Sequence, residues 1–339
     1  MIKDSLLLKA LRGVNLDRPP IWLMRQAGRY QASYQSLRKK HTLAEMFHEE
    51  DLITRVTLLP IEELGVDAAI LFSDILLPLE ALGFSVTYEG GPQVTPKDFQ
   101  IDKLSIPLFE ELESQFSFIV HAIRDLKKTL KVPLIGFCGA PFTIASYLLE
   151  KDHHHLLKNT KRWLYQETKS FHKLLSILSD LVIAYATLQI KAGVDVIQIF
   201  DSWAGVLDEE AFKDCSSFYL RKIVAAIKSQ GVPVIVFCRG SCLFVEELVD
   251  ICPTAISFDW HKPLETLKMK VPSSIALQGN LDPDILKAPF KVIESKLHHI
   301  LTSMQGEKRF IMNLGHGVTP DISEDAVKYL VDSLKAFYR

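Results

Sequence analysis

The chain has 339 residues, 39 Lys and Arg against 41 Asp and Glu, and 48% hydrophobic residues. A formal net charge of −2 excludes a protein that gathers nucleic acid through a bulk positive field, and the apolar fraction excludes a disordered or fibrous chain. No apolar run reaches the roughly 18 residues that span a bilayer, and residues 1–11 carry Lys3, Asp4 and Lys9 where a signal peptide would be continuously apolar, so a cytoplasmic protein without a membrane partner is expected.

In chain order, eight short apolar runs each stop at a polar or glycine-rich turn: residues 21–24, 68–72, 134–137, 196–200, 234–237, 255–258, 274–277 and 310–312. Their apolarity is continuous rather than alternating, as in parallel strands covered on both faces. Between the runs lie amphipathic stretches with helical spacing. Residues 170–191 form the longest, with Gly193 placed to cap its end. Residues 208–229 form another, with Asp208 as N-cap. Eight strands alternating with helices predict an α/β fold, a single (β/α)8 TIM barrel in one catalytic domain over residues 1–339. Residues 84–92 read as a hairpin and residues 96–108 as irregular chain, together an extended loop after the second strand. Cys138, Cys215, Cys238, Cys242 and Cys252 are expected to be buried, reduced thiols. His153, His154 and His155 read as a solvated loop, because nothing nearby adds a fourth ligand at zinc spacing.

Chemistry in such a barrel sits where the strands end. The first run leads into Arg25-Gln26-Ala27-Gly28-Arg29-Tyr30, and the second into Ser73-Asp74. The third opens into Gly139-Ala140-Pro141-Phe142-Thr143 and a helix bearing Tyr147. The fourth ends at Asp201-Ser202-Trp203-Ala204-Gly205, the seventh at Gln278-Gly279-Asn280, and the eighth at Asn313-Leu314-Gly315-His316-Gly317. Arg25 and Arg29 offer planar forks suited to carboxylate or phosphate. Arg38 sits beside Lys39, Lys40 and His41, a neighbourhood that reads equally well as surface. Asp74 lies in an apolar run, where a carboxylate is costly unless paired or functional; the simpler role is a cap of the chain that follows. Asp201 shares that address and serves equally well as an orienter of its loop. Tyr147 has the core-facing neighbours Ile144, Leu148 and Leu149, and as a lone tyrosine packs. His316 lies between two glycines that let backbone approach a ligand. No His-x-Cys or Cys-x-x-Cys pair, dinucleotide loop or phosphate loop is present. The residues alone predict a barrel enzyme for an anionic small molecule, with no evident metal or cofactor.

Six blocks in order carry a resemblance. Residues 20–30, 72–76, 136–143, 200–205, 278–283 and 313–317 resemble the signatures of the uroporphyrinogen decarboxylase family, and the likeness runs from about residue 4 to 337. It implies a cofactor-independent carboxy-lyase of porphyrin and haem biosynthesis, usually a homodimer, which removes CO2 from the four acetate arms of uroporphyrinogen to give coproporphyrinogen. It implies catalytic roles for Asp74, Tyr147, Arg25 and Arg29. It further implies substrate contacts by Gln26, Ala27, Gly28, Phe200, Ser202 and His316. One block departs: the usual lysine-glycine turn after the fifth strand is Arg239-Gly240-Ser241 here, and it receives no role. The alternative within the same superfamily, a corrinoid- and zinc-dependent methyltransferase, calls for a His-x-Cys pair and a late Cys, both missing.

Overall fold

The computed structural model describes residues 4–150 and 157–339; the histidines at 153–155 lie outside them. Seven parallel strands form one curled sheet: β1 (Ala69–Ile70), β4 (Leu134–Gly139), β5 (Val196–Asp201), β6 (Val234–Cys238), β7 (Ala255–Ser257), β8 (Ala276–Leu281) and β9 (Phe310–Leu314), in that order. β2 (Ser85–Thr87) and β3 (Gln93–Thr95) pair antiparallel as a separate hairpin after β1. Every residue of β4, β6, β8 and β9 is buried, which is the physical cause of the unbroken apolar sequence of β4 and β6.

Seven of the eight expected strands form the sheet among the described residues. The first apolar run supplies a single bridge, Ile21 to Met312, with a hydrogen bond from the Met312 N–H to the Pro20 carbonyl at 2.9 Å. Pro19 and Pro20 bring no N–H donors to a ladder, and the Ile21 N–H goes to the Asp67 carboxylate at 2.8 Å. The Ile21 carbonyl accepts from the Asp67 N–H at 2.8 Å, so this short segment touches both edges of the sheet.

The seventh run is also shifted. It begins at Ala276 and continues through Gln278, Gly279 and Asn280, which the sequence reads as a turn. Inside the sheet, the Gln278 amide donates to Gln198 and Ser257 at 3.1 and 3.0 Å and accepts from the Trp22 indole at 3.0 Å. With its bonds made, a polar side chain in a central strand costs little.

The helix expected at 170–191 runs Thr168–Ala192 and ends at Gly193. It is long and apolar enough to cross a membrane by length and composition, but Leu174, Leu178, Leu181, Val182 and Tyr185 are buried in the protein core. The stretch from Asp208 begins as expected, with the Asp208 carboxylate accepting from the Ala211 N–H at 2.8 Å, but a π-turn at Lys213–Ser217 interrupts it. Cys252 is exposed, against expectation; the other four cysteines are buried.

Leu7, Ala10 and Leu11 of the first helix pack with Ala68, Val196, Ala255 and Ala276, where strands begin. That end of the curled sheet is thereby plugged with apolar side chains. The opposite end, where the strands finish, holds the cavity.

Candidate active site

A cavity of about 510 Å³ opens at the carboxyl ends of the strands. Arg25, Gln26, Ala27, Gly28, Arg29, Asp74, Tyr147, Phe200, Ser202 and His316 all line it. Residues more than 290 positions apart therefore share one wall, which is a geometric fact independent of any role.

The Arg25 loop is built from backbone outward. The Gln26 amide is turned inward: its oxygen accepts from the Leu23 N–H and its nitrogen donates to the Ala68 carbonyl, each at 3.1 Å. Gln26 is buried, and both polar atoms of its side chain are engaged in holding the loop. The Gly28 N–H is likewise taken, by the Gln31 side chain at 3.2 Å. Arg25 has φ of +58°, a left-handed conformation unusual for a residue with a side chain. Neighbouring bonds hold it there: the Met24 N–H donates to Asn313 at 3.1 Å, and the Met24 carbonyl accepts from Val318 at 2.9 Å. A Cβ added to Gly317 would lie 2.5 Å from the Arg25 Cδ, so the glycine makes room for the arginine stem. Neither Arg25 nor Arg29 has a carboxylate partner among the described residues, and both guanidinium groups are left to meet an outside anion.

Asp74 follows β1 on the irregular chain that leads into the Leu77–Leu82 turn. Its Oδ1 accepts from the Leu76 N–H at 2.8 Å, a local turn contact two residues on; the helical turn itself has Leu76 at its N-cap and no side-chain cap, so Asp74 does not cap it. Its other oxygen has no partner among the described residues and the carboxyl lines the cavity. Burial pushes the carboxyl up to about 6; the Leu76 N–H and the Arg25 charge pull it down, and Glu80 pushes it up. Tyr147 meets Trp203 edge-on, with ring centres 6.2 Å apart. Burial raises its hydroxyl, opposed by a hydrogen bond with the Trp203 side chain.

The floor is aromatic. Phe137, Phe200 and Phe237 come from β4, β5 and β6, and successive ring centres lie 5.6 and 5.9 Å apart. His316 meets Phe237 edge-on at 5.9 Å. Burial lowers the imidazole to about 4, and the Arg25 and Arg239 charges add to the shift. His316 is therefore neutral near pH 7.

Asp201 belongs to the scaffold. Its two oxygens accept from Thr143 and Ser216, each at 2.6 Å, and Thr143 in turn accepts from the Trp203 N–H at 3.1 Å.

The sequence reading missed several lining residues. Arg38 reaches the cavity from the helix Ala32–Arg38, where its charged neighbours made it look like surface. Phe137 and Phe237 were read as strand interior, yet they stand near the ends of strands that flank Phe200, a signal that was available. Tyr88, just past β2, lines the cavity with its hydroxyl buried and unbonded among the described residues; nothing in its sequence surroundings marks it. Lys97, beyond β3, donates to the Tyr147 carbonyl at 2.7 Å and ties the hairpin region to that helix. Among the described residues, no group of three or more His, Cys, Asp or Glu side chains is placed to hold a metal ion.

The arrangement joins unpaired guanidinium groups, an apolar aromatic floor and one partly free carboxylate. It suits a ligand that is anionic at its edge and carries N–H groups or positive charge at its centre. A sequence model described as "Uroporphyrinogen decarboxylase (URO-D)" matches residues 2–337. A uroporphyrinogen decarboxylase of Protochlamydia amoebophila is 47% identical over 334 residues, covering 97% of this chain and 91% of its own. One from Aquifex aeolicus is 41% identical and covers 99% of each chain. Among solved structures, a methyltransferase from Methanosarcina mazei superposes with a TM-score of 0.84 over 99% of each chain at 21% identity, a likeness of fold.

Proposed function

The chain belongs to the uroporphyrinogen decarboxylase family, and from that premise we propose how its own residues carry out the reaction. It is a carboxy-lyase of porphyrin biosynthesis, acting on uroporphyrinogen.

Losing CO2 from an acetate arm leaves an electron pair that needs a sink. Protonation of the pyrrole carbon bearing the arm makes the ring cationic and creates one. The C–C bond then breaks, its electrons enter the ring, and CO2 leaves. The exocyclic carbon takes up a proton to become a methyl group, and the ring gives up its extra proton. The net consumption is one proton per CO2. Asp74, ionised and accepting from pyrrole N–H groups, opposes the developing positive charge where the aromatic floor limits water. One central carboxylate serves all four rings as the substrate is turned. Arg25 and Arg29 hold the carboxylates of arms that are not reacting and so orient the one that is. Tyr147 borders the reacting arm, Phe200 packs on the macrocycle, and Ser202 and neutral His316 offer hydrogen bonds at the rim. Ala27 and Gly28 meet the substrate through backbone and surface only.

The observation that carries this reading is Asp74, with one oxygen bonded only to the Leu76 N–H, lining the same cavity as arginines without a carboxylate partner among the described residues. The test is incubation with uroporphyrinogen under reducing conditions, followed by chromatography. Seven-, six-, five- and four-carboxyl products are expected in succession, at unchanged rate after exhaustive chelation and dialysis. No tetrapyrrole product, or activity restored only by added zinc, would overturn it.

The same reading includes closure of the sheet into a (β/α)8 barrel through residues 20–22, one catalytic domain over 1–339, and a cytoplasmic homodimer. Contacts from residues 20–22 to both sheet edges support the closure; sedimentation of the purified protein tests the dimer.

A further inference from the structure

A second cavity of about 400 Å³ lies beside the first and shares Ser202 with it. Its wall carries Arg239 and Lys262, which have no carboxylate partner among the described residues, and His261. Arg239 stands in the block where the sequence departs from the family pattern.

The wall is built rather than incidental. Gly205 lies so close to the Arg239 backbone that a side chain there would collide with it, which fixes the loop after β6 against the loop after β5. The one carboxylate in the wall, Asp259, is buried and already engaged. It accepts from the Gly240 N–H at 2.7 Å and the His261 N–H at 3.3 Å, and the His261 ring lies 3.2 Å away. Asn280 donates to the carbonyls of both Asp259 and Lys262 at 2.7 Å, tying the loop after β7 to β8. The pocket therefore presents cations on a braced frame, with its own anion held back.

The charge count of the first cavity leaves a deficit. Its cations are Arg25, Arg29 and Arg38, since His316 is neutral there. Uroporphyrinogen carries eight carboxylates, four on acetate arms and four on propionate arms. Arg239 lies within electrostatic reach of His316 while lining the second pocket, so it stands at the border that an arm leaving the first cavity would cross.

We propose that this second pocket is a carboxylate subsite that receives a propionate arm of the tetrapyrrole, gripped by Arg239 and Lys262. The proposal rests on the decarboxylase reading and extends it. A subsite filled in every round has to take an arm the reaction spares, and only the propionates persist through all four rounds. A propionate held there restrains the macrocycle while a different acetate is presented to Asp74.

The test uses Arg239→Gln, Lys262→Gln, the double variant and Arg239→Lys. Binding is read from the absorbance of uroporphyrin and coproporphyrin, the stable oxidised forms, which requires no turnover. Arg239→Gln is expected to weaken both porphyrins by about three- to tenfold, the double variant further, and Arg239→Lys less. KM for uroporphyrinogen should rise in step while kcat stays within about twofold. Unchanged binding of both porphyrins would overturn the subsite. Weakening of uroporphyrin alone would overturn it as a propionate site, because coproporphyrin keeps its propionates and lacks the acetates. A wild-type protein that binds both porphyrins without releasing CO2 would count against the decarboxylase reading while leaving the binding ratios to judge this proposal.

Discussion

Asp201 ends β5 and Asp74 lies four residues beyond β1, both on the carboxyl side of the sheet and each raised by burial to about 6. Their partners separate them. Asp201 accepts two hydroxyl hydrogen bonds, one per oxygen, and neither oxygen is spare. Asp74 accepts one backbone N–H on one oxygen and turns the other toward the cavity. A raised carboxyl pKa therefore does not by itself mark a catalytic group; what separates the two carboxylates is the hydrogen-bonding capacity left over.

The sharpest way to break this comparison is to neutralise each carboxylate without changing its shape. Asp74→Asn should retain porphyrin binding through the arginines and lose on the order of a hundredfold in single-turnover decarboxylation, with Asp74→Glu in between. An Asn variant with near-normal turnover would reduce Asp74 to a structural carboxylate. Stability gives an independent reading. The folded carboxyl titrates near 6 and the unfolded one near 4, so the folded state holds the extra proton between these values. Stability then falls as pH rises through that window and stays lower above it. Asp74→Asn removes the loss, so its Tm should exceed the parent's above pH 6, with the gain gone below pH 4. In the parent, kcat/KM should decline as pH drops through about 6 and Asp74 takes up its proton; the Asn variant should lack that limb.

Arg25→Ala should weaken porphyrin binding by roughly ten- to a hundredfold and Arg25→Lys by less, because the lysine keeps charge but loses the fork. Equal affinities for parent and alanine variant, measured by porphyrin titration, would remove Arg25 from the binding set. Gly317→Ala tests the same group from behind. Its new Cβ would crowd the Arg25 stem, so a rise in KM of roughly tenfold is expected at little cost in Tm; an unchanged KM would mean that the stem moves aside freely.

Asp201→Asn is expected to do the least to catalysis, with kcat within about threefold, and to lower Tm. The Thr143 hydroxyl already accepts from the Trp203 N–H, so its proton must go to Asp201. An asparagine NH2 facing it would leave a buried donor unmatched, at about 1–3 kcal/mol. If Asp201→Asn instead lost turnover as heavily as Asp74→Asn while keeping its Tm, the division between the two carboxylates would be wrong.

Much of this was legible in sequence because parallel strands buried on both faces leave uninterrupted apolar runs, and the residues just beyond them crowd into one place. Arg25, Asp74, Tyr147, Phe200, Ser202 and His316 reach a common cavity for that reason alone. What was illegible depended on partners far away in the chain. Gln278 looks like a turn until Trp22, Gln198 and Ser257 are seen to satisfy it. Gln26 is legible as part of the loop, but not its inward-turned amide, which depends on the Ala68 carbonyl 42 residues away. The first run looks like a strand, but two prolines and the Asp67 carboxylate leave it a single bridge. Tyr88 reaches the cavity through a hairpin whose direction no local pattern announces.

The left-handed Arg25 has a consequence for the time order of folding. Its conformation is clamped by Asn313 and Val318 and its stem is accommodated by Gly317, contacts separated from it by nearly the whole chain. Such distant contacts are entropically expensive to close and form late. Arg25 is thus out of place until residues near 313–318 have emerged and docked. A chain that still lacks β9 also lacks the clamp on Arg25, so porphyrin binding by nascent or refolding protein is expected to report the last stitch of the fold rather than its beginning.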